Sequence, residues 1–577
     1  MNIAMKVFES REFEQFVSCF ANRARAEEFW NFWPSESVLR CEKRGQPQFC
    51  HTVIARGALC GGLANRQHSR TPSPAVVPFL TRNELLRHPP ARMRALVSVN
   101  HYKLLNLHGP ESPAWEPFFP STALFIRPSR GVMTSSTSAL LTDLYELNMI
   151  QAYLDRGEDG EAVFEFFVRR LPARRSFLLA AGLAHAIDYL RTLHFSAVEI
   201  HWLKSTGRFN QSLLDYLAAF RFTGDVHAIP EGSVCFPSEP LIRITAPLPQ
   251  AQLVETRLIN ILHYQTLIAS KAARMVLAAP GKILSDFGLR TAHGAEAGLF
   301  SARASYIAGF AGAANVLAGE RYGIPIVGTM AHSYVQVHDD ETQAFENFAR
   351  ARPEGVILLI DTYDTEQGAR KVVELAPRLK ADGITIRGVR IDSGDLITNA
   401  RKVRRILDEG GLREVIILVS GGINEDILQG MMKAHTPIDG FGIGVNLAAS
   451  LDAPALDCAY KLQSYVGRPK RKLSEGKATW PGAKQVWRTY DADGRMRGDI
   501  LSLETDRQPG EPLIVPVMRA GKLIAPLPAL TQIREHAARD LKRLAGPLAR
   551  LESGFEYTVQ VADALRALAE QISAKKP

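Results

Sequence analysis

The sequence predicts an α/β protein: a parallel βα barrel joined to a second α/β domain built from the segments that flank it. Three observations carry this expectation. Short apolar runs at Val356–Ile360, Ile384–Ile391, Val415–Val419 and Ile438–Ile443 each read as a buried strand ending in polar or Gly-rich residues. Their ends at Asp361, Asp392, Gly421 and Gly444 lie 31, 29 and 23 residues apart, about one βα unit each. Further strand-like stretches precede and follow this run, which favours a barrel with an appended domain over a single open sheet.

The chain of 577 residues is long enough for several domains. Residues 1–132 differ from the rest. They hold 17 Lys and Arg against 10 Asp and Glu, leaving 52 against 50 for residues 133–577. The basic character therefore belongs to this segment, and a nucleic-acid surface on the remainder is not indicated. The same segment contains 12 of the 33 prolines and three of the six tryptophans. Helical spacing is confined to Glu9–Phe32, and Pro-rich pieces such as Thr71-Pro-Ser-Pro74 follow. An atypical N-terminal extension without a stable fold, or a start codon assigned too far upstream, is expected; the alternative is an accessory domain. Cys41, Cys50 and Cys60 with His51 and His68 match no usual zinc spacing. Two distant cysteines, Cys235 and Cys458, in the remainder fit a reduced, cytoplasmic compartment. No apolar run is long enough to span a bilayer.

After Met133 the elements follow in order. Ala139–Asp155 has helical spacing, Ala162–Phe167 is strand-like, and Phe177–Leu190 reads as a helix. Val226–Leu248 reads as short strands and turns, and Leu253–Ala278 as a long core helix. Small residues dominate Ala302–Gly319 and allow close backbone approach. Ile324–Ser333 reads as a short strand with a polar end, and the four regular βα units follow. Beyond Ala448 come a basic run, Arg468–Lys477, a β region at Ile500–Ile514, and amphipathic stretches at Leu530–Leu551 and Tyr557–Ile572. The expected division is 133–252 for the first part of the α/β domain, 253–450 for the barrel, and 451–577 for the remainder of both.

Strands lying side by side bring their ends to one mouth. It would hold Arg290, His332, Asp361, Arg390 and Asp392, with backbone N–H groups near Gly421, Gly422, Gly442 and Gly444. Gly-rich turns and helix N-termini present N–H groups to anions. Carboxylates can bind ribose hydroxyls or Mg²⁺, and arginines grip anions with forked hydrogen bonds. No Walker loop and no Gly-x-Gly-x-x-Gly opening a βαβ unit is present. Blander readings stand beside each of these. Ser393 or Asp395 could be a helix N-cap beside an ion pair. His332 could be a structural hydrogen-bonding residue, although Thr329, Ser333 and the acidic strand ends beside it favour chemistry. Tyr145 and Phe287 could be core aromatics or could sandwich a flat ring.

Taken together, these pieces resemble the nicotinate phosphoribosyltransferase family. The resemblance rests on Leu141-Thr-Asp-Leu-Tyr145, Phe222-Thr-Gly-Asp225 with Pro230-Glu-Gly232, Asp286-Phe-Gly-Leu-Arg290, Gly328-Thr-Met-Ala-His-Ser333, Leu359-Ile-Asp-Thr-Tyr-Asp364, Arg390-Ile-Asp-Ser-Gly-Asp395, Gly442-Ile-Gly444, and Asp452-Ala-Pro454 with Tyr460-Lys-Leu462. It covers residues from about 133 to the C-terminal region; residues 1–132 match nothing in it.

The resemblance implies an irregular, type II phosphoribosyltransferase-like barrel and an ATP-assisted reaction. Nicotinate and 5-phosphoribosyl 1-diphosphate would give nicotinate mononucleotide and diphosphate, the first step of NAD salvage from nicotinate. His332 would be transiently phosphorylated by ATP, making the chain a phosphoprotein. Arg390 and Asp392 would serve catalysis, Arg390 reaching nicotinate and phosphate and Asp392 the ribose hydroxyls. Tyr145 of a second subunit would stack on nicotinate opposite Phe287, in a homodimer with sites at the interface. Arg290, Thr329, Ser333 and Asp361 would complete the substrate pocket, and Gly421, Gly422, Gly442 and Gly444 would cradle the 5′-phosphate. Mg²⁺ would be carried by diphosphate or ATP, with no site of protein ligands alone.

The chain departs from the family pattern at three places. Val445 stands where a Thr is expected after Gly-x-Gly, removing one hydroxyl contact for which Asn446 or backbone amides could substitute. Thr291 replaces a second arginine after Arg290, and Ala313-Ala314 replace Thr-Ser before Asn315. Two other readings follow: a nicotinamide phosphoribosyltransferase, or a non-catalytic ligand-binding paralogue.

Overall fold

A computed structural model describes residues 138–474, 477–551 and 557–574, and four strands nearer the N-terminus. The chain divides into two units, residues 1–131 and 132–577. In the first, Glu36–Arg40, His51–Ala55, Ala58–Gly61 and Leu80–Thr81 pair antiparallel in that order. The helical stretch expected at Glu9–Phe32 lies outside the described residues, as do Cys41, Cys50 and His68.

The second unit is organised around six parallel strands. Their spatial order is Gly312–Ala313, Ile283–Asp286, Gly440–Ile443, Ile416–Ser420, Ile386–Ile391 and Val356–Leu359. The first of these in sequence, Ile283–Asp286, pairs with the last, Gly440–Ile443. Such a pairing curls the sheet back on itself into a half-barrel. It stays open between Gly312–Ala313 and Val356–Leu359. The strands are apolar on both faces because both are covered. Leu358, Val389, Ile391, Ile417, Val419 and Ile443 are fully buried.

Each of three successive strands is followed by a helix whose first turn is capped by a side chain. Asp364 accepts the Gln367 N–H at 2.7 Å ahead of Thr365–Ala381. Asp395 accepts the Ile397 and Thr398 N–H groups, each at 3.1 Å, ahead of Leu396–Glu409. Asn424 accepts the Ile427 N–H at 2.9 Å ahead of Glu425–Lys433. These caps satisfy donors that a helix start leaves open. They fix where each chain turns away from the mouth.

The expected strand at Ile324–Ser333 does not form. Ile326 makes one parallel bridge to Ala313, and His332 opens a short helix, His332–Gln336. Pro325 has no N–H to continue a ladder; its carbonyl only accepts from Ala313 at 3.0 Å. The segment thus runs from one open edge of the half-barrel at Ala313 to the other at Thr362, which contacts His332.

The flanking segments interleave in a seven-stranded antiparallel sheet. Within it, Glu161–Arg170 lies between Pro240–Pro247 and Asp457–Tyr465. A four-stranded sheet is formed by Glu511–Pro512, Lys484–Tyr490, Met496–Leu503 and Val559–Val561. The helix Glu255–Ala278 joins the two cores: Leu258, Ile261 and Leu267 pack with the antiparallel sheet, and Ile268, Ala272 and Met275 with the half-barrel.

Other expectations shift at their edges. The helix expected at Phe177–Leu190 begins only at Leu183, because Leu178–Leu179 pairs with Val234–Cys235. Leu530–Leu551 is helical only to Lys542, and Tyr557–Ile572 divides into Val559–Val561 and the helix Asp563–Ala574. Among the described residues no helix is long and apolar enough to cross a membrane.

Candidate active site

The strand Ile386–Ile391 delivers Arg390 and Asp392 to the C-terminal edge of the sheet. The neighbouring strand end supplies Asp361, which is buried. Its Oδ2 accepts both the Asp392 N–H and the Ser393 hydroxyl, each at 2.7 Å. Its Oδ1 is buried without a partner. On the other side the Ser420 hydroxyl donates to Asp392 Oδ1. Asp392 is therefore held from two adjacent strands, with Oδ2 left toward the mouth.

His332 faces that oxygen. Its Nε2 is 3.7 Å from Asp392 Oδ2, and its Nδ1 is 3.1 Å from the Thr362 hydroxyl. The imidazole is 37% exposed, anchored at Nδ1 by the Thr362 hydroxyl with Nε2 open to a ligand. Arg390 donates from Nη2 to the Met330 carbonyl at 2.8 Å, tying the segment before His332 to the strand. Its Nε is buried and unpartnered. Burial lowers the Arg390 pKa, while Asp392 and Asp361 raise it and Arg290 lowers it further.

Two Gly turns close the same rim. Gly421 and Gly422 have φ of +92° and +65°, and a Cβ on Gly421 would come within 2.2 Å of the Asp392 carbonyl oxygen. A Cβ on Gly442 would come within 2.3 Å of the Phe287 ring, so that ring lies directly on the backbone of the Gly440–Ile443 strand. The Phe287 N–H donates to the Ile443 carbonyl at 2.8 Å. Gly444 leads into the short helix Val445–Ala448.

The remaining expected residues fall in different places. Arg290 is exposed in the single turn Leu289–Thr291. Thr329 is half-buried beside Met330, and Ser333 is exposed on the His332 helix. Tyr145 is 43% exposed and sits at the start of the helix Leu144–Arg156. Its surroundings are Glu146, Glu255 and Thr256, and burial pushes its hydroxyl up to about 12. Within one chain Tyr145 and Phe287 make no ring contact among the described residues. Asp395 caps the helix Leu396–Glu409. Asn446, expected as a substitute phosphate contact, spends both amide hydrogens on the Gly422 and Ile423 carbonyls, at 2.8 and 2.9 Å.

Three residues of the site went unanticipated. Thr362 and Ser420 hold His332 and Asp392 through long-range contacts that no local pattern signals. Asp286, the first residue of Asp286-Phe-Gly-Leu-Arg290, is buried; it accepts the Gly288 N–H at 2.6 Å and the Ser301 hydroxyl at 2.9 Å, shaping the turn after Phe287. Burial pushes its pKa up to about 6.

A curled parallel βα sheet with carboxylates, an arginine, a histidine and Gly turns at its C-terminal edge is the layout of an α/β enzyme acting on an anionic ligand. Residues 140–263, 283–480 and 508–569 match, in turn, the nicotinate phosphoribosyltransferase N-terminal domain, the nicotinate phosphoribosyltransferase family, and the nicotinate phosphoribosyltransferase C-terminal domain. The chain belongs to the nicotinate phosphoribosyltransferase family. A nicotinate phosphoribosyltransferase of Mycobacterium tuberculosis is 47% identical over 427 residues, covering 74% of this chain and 92% of the relative. The Bacillus subtilis nicotinate phosphoribosyltransferase is 37% identical over 374 residues, 63% of this chain and 76% of the relative. The crystal structure of human nicotinic acid phosphoribosyltransferase superposes with a TM-score of 0.68 at 30% identity, covering 75% of this chain and 99% of that one.

Proposed function

We propose that the protein catalyses ATP-assisted synthesis of nicotinate mononucleotide and diphosphate from nicotinate and 5-phosphoribosyl 1-diphosphate, the first step of NAD salvage from nicotinate. The observation that carries this reading is the convergence of His332, Asp361, Arg390 and Asp392 on one rim with the Gly421–Gly422 and Gly442–Gly444 turns. The family membership and the names of the relatives support it.

In this reading the nicotinate ring nitrogen forms a bond to ribose C1 as the C1–O bond to diphosphate breaks, with positive charge developing on the sugar. Asp392 holds the ribose hydroxyls, aimed by Ser420 and Asp361. Phe287 lies against one face of the pyridine ring, and Arg290, Thr329 and Ser333 line its carboxylate side. Arg390 spans nicotinate and the phosphate side through the donors that Met330 does not take. The backbone N–H groups at Gly421–Gly422 and Gly444 receive the 5′-phosphate. His332 accepts the γ-phosphoryl group of ATP as ADP leaves, with Thr362 fixing its ring and Asp392 beside it, and water later cleaves the N–P bond to release phosphate, so that hydrolysis drives the transfer forward. Type II phosphoribosyltransferase organisation, a homodimer that brings Tyr145 of a second copy to the ring, and a cytoplasmic setting belong to the same proposal.

Mg²⁺ would supply charge neutralisation to the departing diphosphate. Among the described residues no group of three or more His, Cys, Asp or Glu could hold a metal. In this reading the ion arrives on diphosphate or ATP, and the unpartnered Asp361 Oδ1 and the Asp392 carboxylate are the groups here that would meet it.

Purified protein incubated with 5-phosphoribosyl 1-diphosphate, ATP and labelled nicotinate or nicotinamide tests the proposal. Mononucleotide from nicotinate is expected. Product from nicotinamide alone would move the assignment to that relative, and no product from either would identify a non-catalytic paralogue.

A further inference from the structure

The turn between Ile416–Ser420 and the helix Glu425–Lys433 contains two consecutive left-handed glycines, Gly421 and Gly422. Nothing in that turn's own sequence fixes which way its next peptide planes face. Asn446 does. Its Nδ2 donates to the Gly422 carbonyl at 2.8 Å and to the Ile423 carbonyl at 2.9 Å. In a trans peptide the carbonyl and the following N–H point in opposite directions. Holding these two carbonyls toward Asn446 turns the Ile423 and Asn424 N–H groups the other way. Among the described residues, neither N–H donates to a protein acceptor.

The same bridge links the two glycine turns, since Asn446 lies in the helix that opens at Gly444. The adjoining Val445 is 37% exposed and offers no hydrogen-bonding group. The helix Glu425–Lys433 starts with two acids, which would repel an anion. Yet Glu425 is buried against Lys271, 2.5 Å away, and Arg274, and Asp426 is paired with Arg174. The negative charge at this helix start is thus compensated, leaving the N–H groups ahead of the Asn424-capped Ile427 to act on a ligand.

We propose that Asn446 is the positioning residue of the 5′-phosphate cradle: it keeps two carbonyls turned out of the cradle, so that peptide N–H groups face the phosphate without help from a side-chain hydroxyl. This rests on the reading that the two glycine turns hold the 5′-phosphate of the ribosyl substrate. Asn446 touches no substrate itself.

The test compares the full chain with Asn446→Ala and Asn446→Asp, measuring KM for each substrate, kcat, Tm, and the Kd of ribose 5-phosphate by calorimetry. Asn446→Ala is expected to raise KM for 5-phosphoribosyl 1-diphosphate and Kd for ribose 5-phosphate roughly tenfold or more, from loss of two carbonyl anchors. KM for nicotinate should stay within about twofold. Asn446→Asp should be worse, since a carboxylate cannot donate and adds charge beside the phosphate. Wild-type affinity for ribose 5-phosphate in Asn446→Ala would overturn the proposal, and so would equal rises in every KM with a large loss of Tm. If the wild-type chain makes nicotinate mononucleotide but ribose 5-phosphate does not compete with 5-phosphoribosyl 1-diphosphate, the cradle assignment beneath it fails instead.

Discussion

Gly421→Ala is the substitution for which the structure sets the clearest magnitude. The added Cβ would lie 2.2 Å from the Asp392 carbonyl oxygen and 3.2 Å from its carbon, at a φ of +92°. Relieving the overlap requires a separation near 3.2–3.4 Å, so the Asp392 backbone and the Gly421 turn must part by about 1 Å. The positive φ adds roughly 1–2 kcal/mol and the overpacking about 1–3 kcal/mol. A total of about 2–5 kcal/mol spread over a unit of this size corresponds to a Tm fall of roughly 2–5 °C. Activity should suffer more. Asp392 is held by the Asp361 carboxylate at 2.7 Å and by the Ser420 hydroxyl, and a 1 Å displacement strains both. Misplacing a substrate-holding group by that distance can cost about a hundredfold. Gly422→Ala is the control, because its Cβ meets nothing within 4 Å and its φ of +65° is a left-handed value that alanine tolerates at about 1 kcal/mol. Thermal unfolding and kcat/KM for 5-phosphoribosyl 1-diphosphate are the assays. Gly421→Ala should lose about a hundredfold in kcat/KM and Gly422→Ala no more than about tenfold. Equal losses in the two variants would refute the idea that close contact between the Gly421 turn and Asp392 shapes the site.

Other outcomes follow from single contacts. His332→Ala should abolish ATP stimulation while Tm stays close to that of the parent, because the ring is partly exposed and, among the described residues, makes one hydrogen bond, to Thr362; full ATP coupling in the variant would remove the histidine from the mechanism. Asp286 is buried with its pKa raised to about 6, so between about pH 4 and pH 6 the folded chain binds more protons than the unfolded one and stability falls as pH rises. Asp286→Asn should flatten that slope in pH-dependent thermal melts, and an unchanged slope would place the titration elsewhere. Asp395→Ala should lower Tm by about 1 °C and leave kcat/KM unchanged, as expected of a cap alone; a kinetic defect would return Asp395 to the site.

Family and βα order were legible because both depend on local, repeating signals. An apolar strand covered on both faces must be a continuous hydrophobic run, and its return to the mouth must end in polar or Gly residues. The spacing from Asp361 to Gly444 therefore exposed four strand ends without any knowledge of contacts. The strand Ile324–Ser333 misled for the same reason: its apolar residues resemble a strand, but Pro325 and the open edge beside Ala313 leave it one bridge. Leu178–Leu179 was hidden inside a helical pattern because its partner, Val234–Cys235, lies over fifty residues away.

The residues that position the rim were less visible than the charged and titratable ones on it. Arg390, Asp392 and His332 announce themselves as charged or titratable side chains at strand ends and in a known pattern. Ser420, Thr362 and Asn446 are ordinary polar residues whose meaning lies in where a donor meets an acceptor 24 to 30 positions away. Sequence alone determined the α/β class and the family, and it named the charged residues proposed for the rim, since periodicity and residue type are properties of the chain. Only the tertiary structure decided that the half-barrel opens beside His332, that Asp392 is gripped from two neighbouring strands, and that Asn446 turns the Gly422 and Ile423 carbonyls aside. Those are matters of direction, and the direction of a hydrogen bond is set by packing between segments that the sequence keeps apart.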